Sequence, residues 1–231
     1  MGQKSELFSI SSRPGTEEQY TRAERGGVSP GRNLIEIGIV FTLILIALWT
    51  RAGHGQLLVS MIAMACVVGF ALAGKWSPSE LGLTQPLNGI GYILLAGALA
   101  CGGIALLGIA FRSIGPGYSV SLTRSWQYAI WALEQEFILQ SIFFLRLEEV
   151  VGSGRAVFAA ATLFALVHIP SLVLTLLSLL GGILFCELFR RWRNLYPIGI
   201  IHAALGLTIA CSLPDFWLHH MRVGIGFLVH R

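Results

Sequence analysis

The sequence is poor in charged residues, which make up 12% of its 231 residues. Soluble globular chains carry about twice that share, so composition argues against a soluble fold. Hydrophobic residues reach 55%, and the mean hydropathy is +0.72. From Leu34 onward, long apolar stretches alternate with short polar ones. A stretch of about 20 apolar residues crosses a hydrocarbon layer of about 30 Å, so the pattern indicates an integral membrane protein.

Cysteine is scarce, and none of its spacings is the CxxC of a thiolate metal site. We interpret the cysteines as small core residues of apolar stretches; they are Cys66, Cys101, Cys186 and Cys211. The net charge of +4 gives no reason to expect a nucleic-acid partner. The basic residues lie at the ends of apolar stretches, where membrane proteins place them for orientation.

Two regions follow from the polarity pattern. Residues 1–33 are polar and interrupted by proline and glycine, so we predict a disordered tail. Residues 34–231 are predicted to form one all-α domain, a polytopic transmembrane helix bundle of about seven to eight spans. The predicted spans are 34–50, 56–74, 88–111, 126–147, 155–169, 171–190, 195–213 and a weaker eighth at 214–229, which could instead lie in the membrane interface.

The positions of the basic residues predict the orientation in the membrane. If the N-terminus is inside, the outer loops hold Arg51, Arg112 and Arg124, and the inner segments hold most of the other basic residues. Because arginine and lysine accumulate on the cytoplasmic side, we expect a cytoplasmic N-terminus.

Ionisable residues inside the predicted spans are the candidates for function, because a charge within a membrane is costly unless it faces the bundle interior. Glu36 and Glu187 lie near span ends and are interpreted as structural. Glu136, His168 and His202 lie about 16, 20 and 10 Å from the inner surface at 1.5 Å per residue. Three different helices therefore place a carboxylate and two imidazoles in the central layer of the membrane.

The spacing around these residues fits a shared site. Gln140 follows Glu136, and Gly206 follows His202, by one helical turn, and Phe164 precedes His168 by the same interval. Glu134 is about 200° around the helix from Glu136, so one of the two is expected to be a supporting group. A buried carboxylate can accept a proton from water, and neighbouring imidazoles can orient that water or stabilise an oxyanion.

At these residues the sequence resembles the CPBP family of intramembrane proteases, which includes the CAAX prenyl endopeptidase of the Rce type and ABI-like bacterial relatives. The family motifs EExxxR, FxxxH and HxxxN have their counterparts in QEFILQ at 135–140, FALVH at 164–168 and HAALG at 202–206. WSPSELGLTQP at 76–86 resembles the loop before the family's third helix, and the resemblance covers about 70–213. It implies a multi-pass protein, expected in a bacterial inner membrane, that acts on a peptide or protein substrate in or near the lipid bilayer.

This chain departs from the family motifs at three positions. Gln135 replaces the first glutamate, Gln140 the arginine and Gly206 the asparagine. Since an amide is no general base, we expect Glu136, or a rearranged Glu134, to activate the water, assisted by the two histidines. We expect no cofactor; the alternative is a zinc ion held by Glu136, His168 and His202, although the zinc-protease signature HExxH is absent.

Two other classes of function stay open. Buried glutamate and histidine also form proton or ion pathways in transporters, although the sequence has no internal repeat of the kind many carriers show. A non-catalytic membrane scaffold or immunity-type protein would explain the three departures. The sequence does not reveal the oligomeric state.

Overall fold

The computed structural model describes residues 29–74, 76–111 and 122–229. Within these ranges the chain folds entirely into helices joined by turns, which confirms the predicted all-α class. The main helices are α1 (Pro30–Trp49), α2 (His54–Ala73), α3 (Ile90–Ala110), α4 (Leu122–Phe137), α5 (Leu145–Val151), α6 (Ser153–Leu166), α7 (Leu172–Trp192) and α8 (Leu195–Ser212). A π-helical segment, Ile138–Phe144, joins α4 to α5.

Helix α1 begins earlier than the sequence predicted. Ser29 caps it by accepting a hydrogen bond from the Arg32 backbone N–H, and Pro30 occupies the first turn, where its fixed φ suits a helix. Asn33 is fully buried and donates to Glu149 at 2.7 Å. Residues 30–33 therefore belong to the helical domain and not to a tail, whereas the rest of the predicted tail, 1–28, lies outside the described residues.

Five helices of the described ranges are long and apolar enough to cross a membrane: α1, α2, α3, α7 and α8. The predicted count of seven to eight is not confirmed. The fifth predicted span is the 14-residue helix α6, which ends at Leu166, shortly before Pro170. The predicted eighth span is wrong, because 214–229 forms three short pieces: α9 (Asp215–Leu218), a 3₁₀ turn (His219–Met221) and α10 (Ile225–Val229). None of these pieces can span about 30 Å.

Small residues allow the helices that surround the site to approach closely. A Cβ added at Gly97 on α3 would lie 2.7 Å from Ile201 Cβ on α8. A Cβ added at Gly199 would lie 2.7 Å from the Leu133 side chain of α4. Helix α8 is therefore held between α3 and α4 at distances that larger residues would prevent.

A buried ion pair joins α1 to α5. The Arg146 guanidinium is fully buried and lies 2.7 Å from the Glu36 carboxylate, which also pairs with Arg32. Arg146 further donates to the backbone carbonyl of Ser141 at 2.7 Å, within the π-helical segment. Its guanidinium also stacks on Trp76, 4.4 Å from the ring centroid. This arrangement confirms a structural role for Glu36, but through burial and pairing, and not through exposure at a span end.

Candidate active site

The site is built on a contact between α4 and α8. Nδ1 of His202 lies 2.8 Å from Oε1 of Glu136. The Glu136 side chain is fully buried, and His202 is 8% exposed. An ionised carboxylate can only accept hydrogen bonds, so the Nδ1 atom of His202 carries the shared proton. Nε2 is then the ring nitrogen that has a free lone pair.

Two further side chains fix this pair in place. Nε2 of Gln140 donates to the second oxygen of Glu136, Oε2, at 2.9 Å. The Phe185 ring stacks on the His202 imidazole with a centroid distance of 5.0 Å and an interplanar angle of 21°. The predicted pairing of Glu136 and Gln140 on one helix face is therefore observed, and Gln140 orients the carboxylate.

His168 lies in the turn that follows α6, and its orientation is also defined. Its Nδ1 lies 2.7 Å from the backbone carbonyl of Phe164. A carbonyl cannot donate, so Nδ1 carries the proton and Nε2 is the acceptor in the neutral ring. The Phe164 ring contacts both imidazoles edge-on, with centroid distances of 5.0 Å to His168 and 5.8 Å to His202.

Both imidazoles line one cavity of about 760 Å³. This volume is within the usual range for sites that bind small molecules or short peptide segments. The wall is mostly apolar and includes residues of α1 and α2, which the sequence did not connect with the site. The side chains from these two helices that reach the cavity include Ile44, Leu48, Leu57, Met61 and Met64.

The cavity separates the two glutamates of α4. Glu134 and Gln135 line its wall, whereas Glu136 lies behind that wall, fully buried against His202 and Gln140. The separation agrees with the expected angle of about 200° between Glu134 and Glu136. Glu134 is thus the carboxylate on the cavity side, and Glu136 meets the cavity through His202.

Gly206 lies one turn after His202, and the Tyr128 hydroxyl occupies the space beside it. A Cβ added at Gly206 would collide with that hydroxyl and would lie 2.7 Å from Tyr128 Cζ. Tyr128 lines the same cavity as His168 and His202. Sequence reasoning missed Tyr128, although it precedes Gln135 by seven residues and therefore shares its face of α4.

The geometry does not fit the alternative zinc site. Within the described ranges, no three histidine, cysteine, aspartate or glutamate side chains come together as metal ligands. Both oxygens of Glu136 are already engaged in hydrogen bonds, one with His202 and one with Gln140.

Comparison with protein families gives one match. Residues 118–208 match the family model described as type II CAAX prenyl endopeptidase, Rce1-like. This match supports the assignment to the CPBP family that the motifs indicated. The match begins four residues before α4 and ends within α8; it includes Glu136, His168 and His202, whereas the loop at 76–86 lies outside it. No curated protein and no solved structure matches the chain.

The family match bears on the general class of the protein. Together with the apolar helices it supports an integral, multi-pass membrane protein of a protease family. Such a family implies a peptide or protein substrate at the membrane. The chain keeps both family histidines, and its departures at Gln135, Gln140 and Gly206 all lie in or next to the site that these histidines form.

Proposed function

We propose that this protein is an intramembrane endopeptidase that hydrolyses a peptide bond with a water molecule activated at the His168–His202 cavity. The observation that carries the proposal is the buried contact of 2.8 Å between Glu136 and His202 at the wall of a cavity that His168 also lines. A carboxylate that is hydrogen-bonded to one nitrogen of an imidazole fixes the tautomer and the orientation of the ring.

In this mechanism the Nε2 atom of His202 accepts the proton of a water molecule in the cavity. The water oxygen attacks the peptide carbonyl carbon, and the π electron pair of the carbonyl moves to its oxygen. The C–N bond then breaks, and the imidazolium returns its proton to the leaving amine. The buried Glu136 carboxylate stabilises the imidazolium between these two transfers.

The roles of the other groups follow from their positions. His168 lines the same cavity, and its Nδ1 is engaged by the Phe164 carbonyl. Its Nε2 atom orients the attacking water by accepting a hydrogen bond from the second O–H group of that water. Glu136 as the direct base stays a prediction, but its two engaged oxygens and its complete burial favour action through His202. The apolar wall supplied by α1 and α2 suits a substrate with bulky apolar groups next to the cleaved bond.

The test uses the full chain reconstituted into liposomes with two kinds of substrate. One is a prenylated peptide ending in CAAX, as the family description names; the other is a panel of unprenylated peptides attached to a single membrane anchor. Cleavage is followed by mass spectrometry. We expect the wild-type protein to cleave at least one substrate and His202→Ala and His168→Ala to lose at least about 99% of that activity.

Matched controls separate chemistry from general damage to the fold. His54 lies exposed at the start of α2, so His54→Ala is expected to keep wild-type activity. Glu187 pairs with Arg190 and Arg191 on a partly exposed face of α7, and Glu187→Gln is also expected to stay active. Full cleavage by both His168→Ala and His202→Ala, or no cleavage of any substrate by the wild type, would refute the proposed function.

A further inference from the structure

The two histidines themselves offer proton acceptors to the cavity and, in their neutral forms, no donor. In their neutral forms both His168 and His202 carry the proton on Nδ1, where Phe164 and Glu136 accept it. Their Nε2 atoms are therefore acceptors. The Gln140 amide donates to Glu136 and is buried behind the cavity wall. Peptide hydrolysis nevertheless creates a negative oxygen that needs a donor.

The Tyr128 hydroxyl is a donor in a suitable position. It lies where a side chain of residue 206 would begin, and residue 206 follows His202 by one turn on α8. Side chains that are four residues apart on a helix have Cβ atoms about 5–6 Å apart. The hydroxyl therefore lies about one helical turn from the His202 Cβ, and both side chains line the cavity in which the substrate carbonyl would bind.

Because Gly206 has no side chain, the Tyr128 hydroxyl can occupy the space beside it. The residue is buried, and any side chain on it would collide with the tyrosine. The tyrosine on α4 and the glycine on α8 thus form a matched pair across the interface of the two helices that also provide Glu136 and His202. The absence of a side chain at Gly206 leaves room for a hydroxyl group from another helix.

We propose that Tyr128 is a catalytic residue whose hydroxyl donates a hydrogen bond to the oxyanion formed when water adds to the substrate carbonyl. This inference rests on the proposed endopeptidase function and adds an oxyanion donor to it. Tyrosine hydroxyls serve as oxyanion donors in other enzymes, and removal of one such donor costs about 10²–10³-fold in kcat. The substrate oxygen carries negative charge only after water adds, so the bond acts mainly on kcat and little on KM.

The first test is Tyr128→Phe, which removes one oxygen and keeps the ring beside Gly206. We expect kcat to fall by about 10²-fold on the substrate that the wild type cleaves, with KM changed less than about threefold. Tyr196→Phe is the matched control, because the Tyr196 hydroxyl contacts the Leu83 carbonyl on an exposed part of the protein. It is expected to keep wild-type kcat.

A rescue experiment separates donation from packing. Tyr128→Ala clears the space next to residue 206, and the added substitution Gly206→Asn then places an amide donor there. The double variant is expected to regain at least tenfold in kcat over Tyr128→Ala. A purely structural tyrosine would not be replaced by an asparagine on another helix. Melting curves in detergent confirm that each variant is folded.

The outcomes distinguish the inference from the function on which it rests. If Tyr128→Phe keeps kcat within twofold of the wild type while His202→Ala is inactive, the role of Tyr128 is refuted and the endopeptidase function stands. The same holds if the double variant regains nothing. If His168→Ala and His202→Ala both cleave at the wild-type rate, or the wild type cleaves nothing, the proposed function fails and the role of Tyr128 fails with it.

Discussion

Glu136 and His202, 66 residues apart in the sequence, form a buried pair with 2.8 Å between Oε1 and Nδ1. The carboxylate has no exposed surface, so its negative charge reaches the cavity through the imidazole ring. Burial of an unpaired charge in a membrane protein is costly, and the pair avoids that cost when the histidine shares its proton. Substitutions around the pair test this arrangement.

Gln140 is predicted to support catalysis by holding the Glu136 carboxylate in place. Its amide donates to Oε2 of Glu136 at 2.9 Å, and both side chains are fully buried. Gln140→Met keeps the volume but removes the donor, so we expect kcat to fall about tenfold with KM unchanged. Steady-state cleavage kinetics measure this. A wild-type kcat in Gln140→Met would show that Glu136 needs no second hydrogen bond.

Gly97 is predicted to be essential for the packing of α3 on α8. Gly97→Leu would drive a side chain into Ile201, so we expect a loss of about 1–3 kcal/mol in the free energy of unfolding. Gly102 lies on the same helix with open space around its Cα and provides the matched control. Titration with a denaturing detergent measures both variants. Equal stability of Gly97→Leu and Gly102→Leu would contradict the close approach of the two helices.

Arg146 is predicted to stabilise the fold mainly through its contacts with Glu36 and with the π-helical segment. Arg146→Met leaves the buried Glu36 with one partner, Arg32, and removes the donor to the Ser141 carbonyl. We expect the free energy of unfolding to fall by about 3–5 kcal/mol.

The matched control for Arg146 is Arg191→Met, because Arg191 pairs with Glu187 on an exposed surface. The free energy of unfolding of Arg191→Met is expected to fall by less than about 1 kcal/mol. The same detergent titration measures both variants, and similar losses for the two arginines would contradict a special role for the buried guanidinium.

The sequence predicted the parts of the structure that depend on local pattern. Composition was sufficient for a helical membrane protein, and the spacing of Glu134 and Glu136 correctly predicted that they face different directions. The predicted number of spans is not confirmed, because hydropathy does not reveal where turns interrupt an apolar stretch. At 214–229 the turns at His219 and Gly224, both with positive φ, divide such a stretch into short pieces.

Contacts between residues that are far apart in the sequence could not be predicted, for a different reason. Arg146 and Glu36 are 110 residues apart, and no local pattern links them. The same holds for Tyr128 and Gly206, whose contact depends on how α4 packs against α8. The family motifs identified the position of Gly206 as unusual, but the tyrosine that fills the space comes from a helix segment with no motif of its own.

The measurement that tests the central claim most directly is a double-mutant cycle on Glu136 and His202, in which kcat/KM is determined for Glu136→Gln, His202→Ala and the double variant. If the carboxylate acts through the imidazole, the double variant has the same residual rate as His202→Ala, and Glu136→Gln alone loses about 10²-fold or more. If the two losses instead multiply, so that the double variant falls well below His202→Ala, Glu136 and His202 act independently and the account is contradicted.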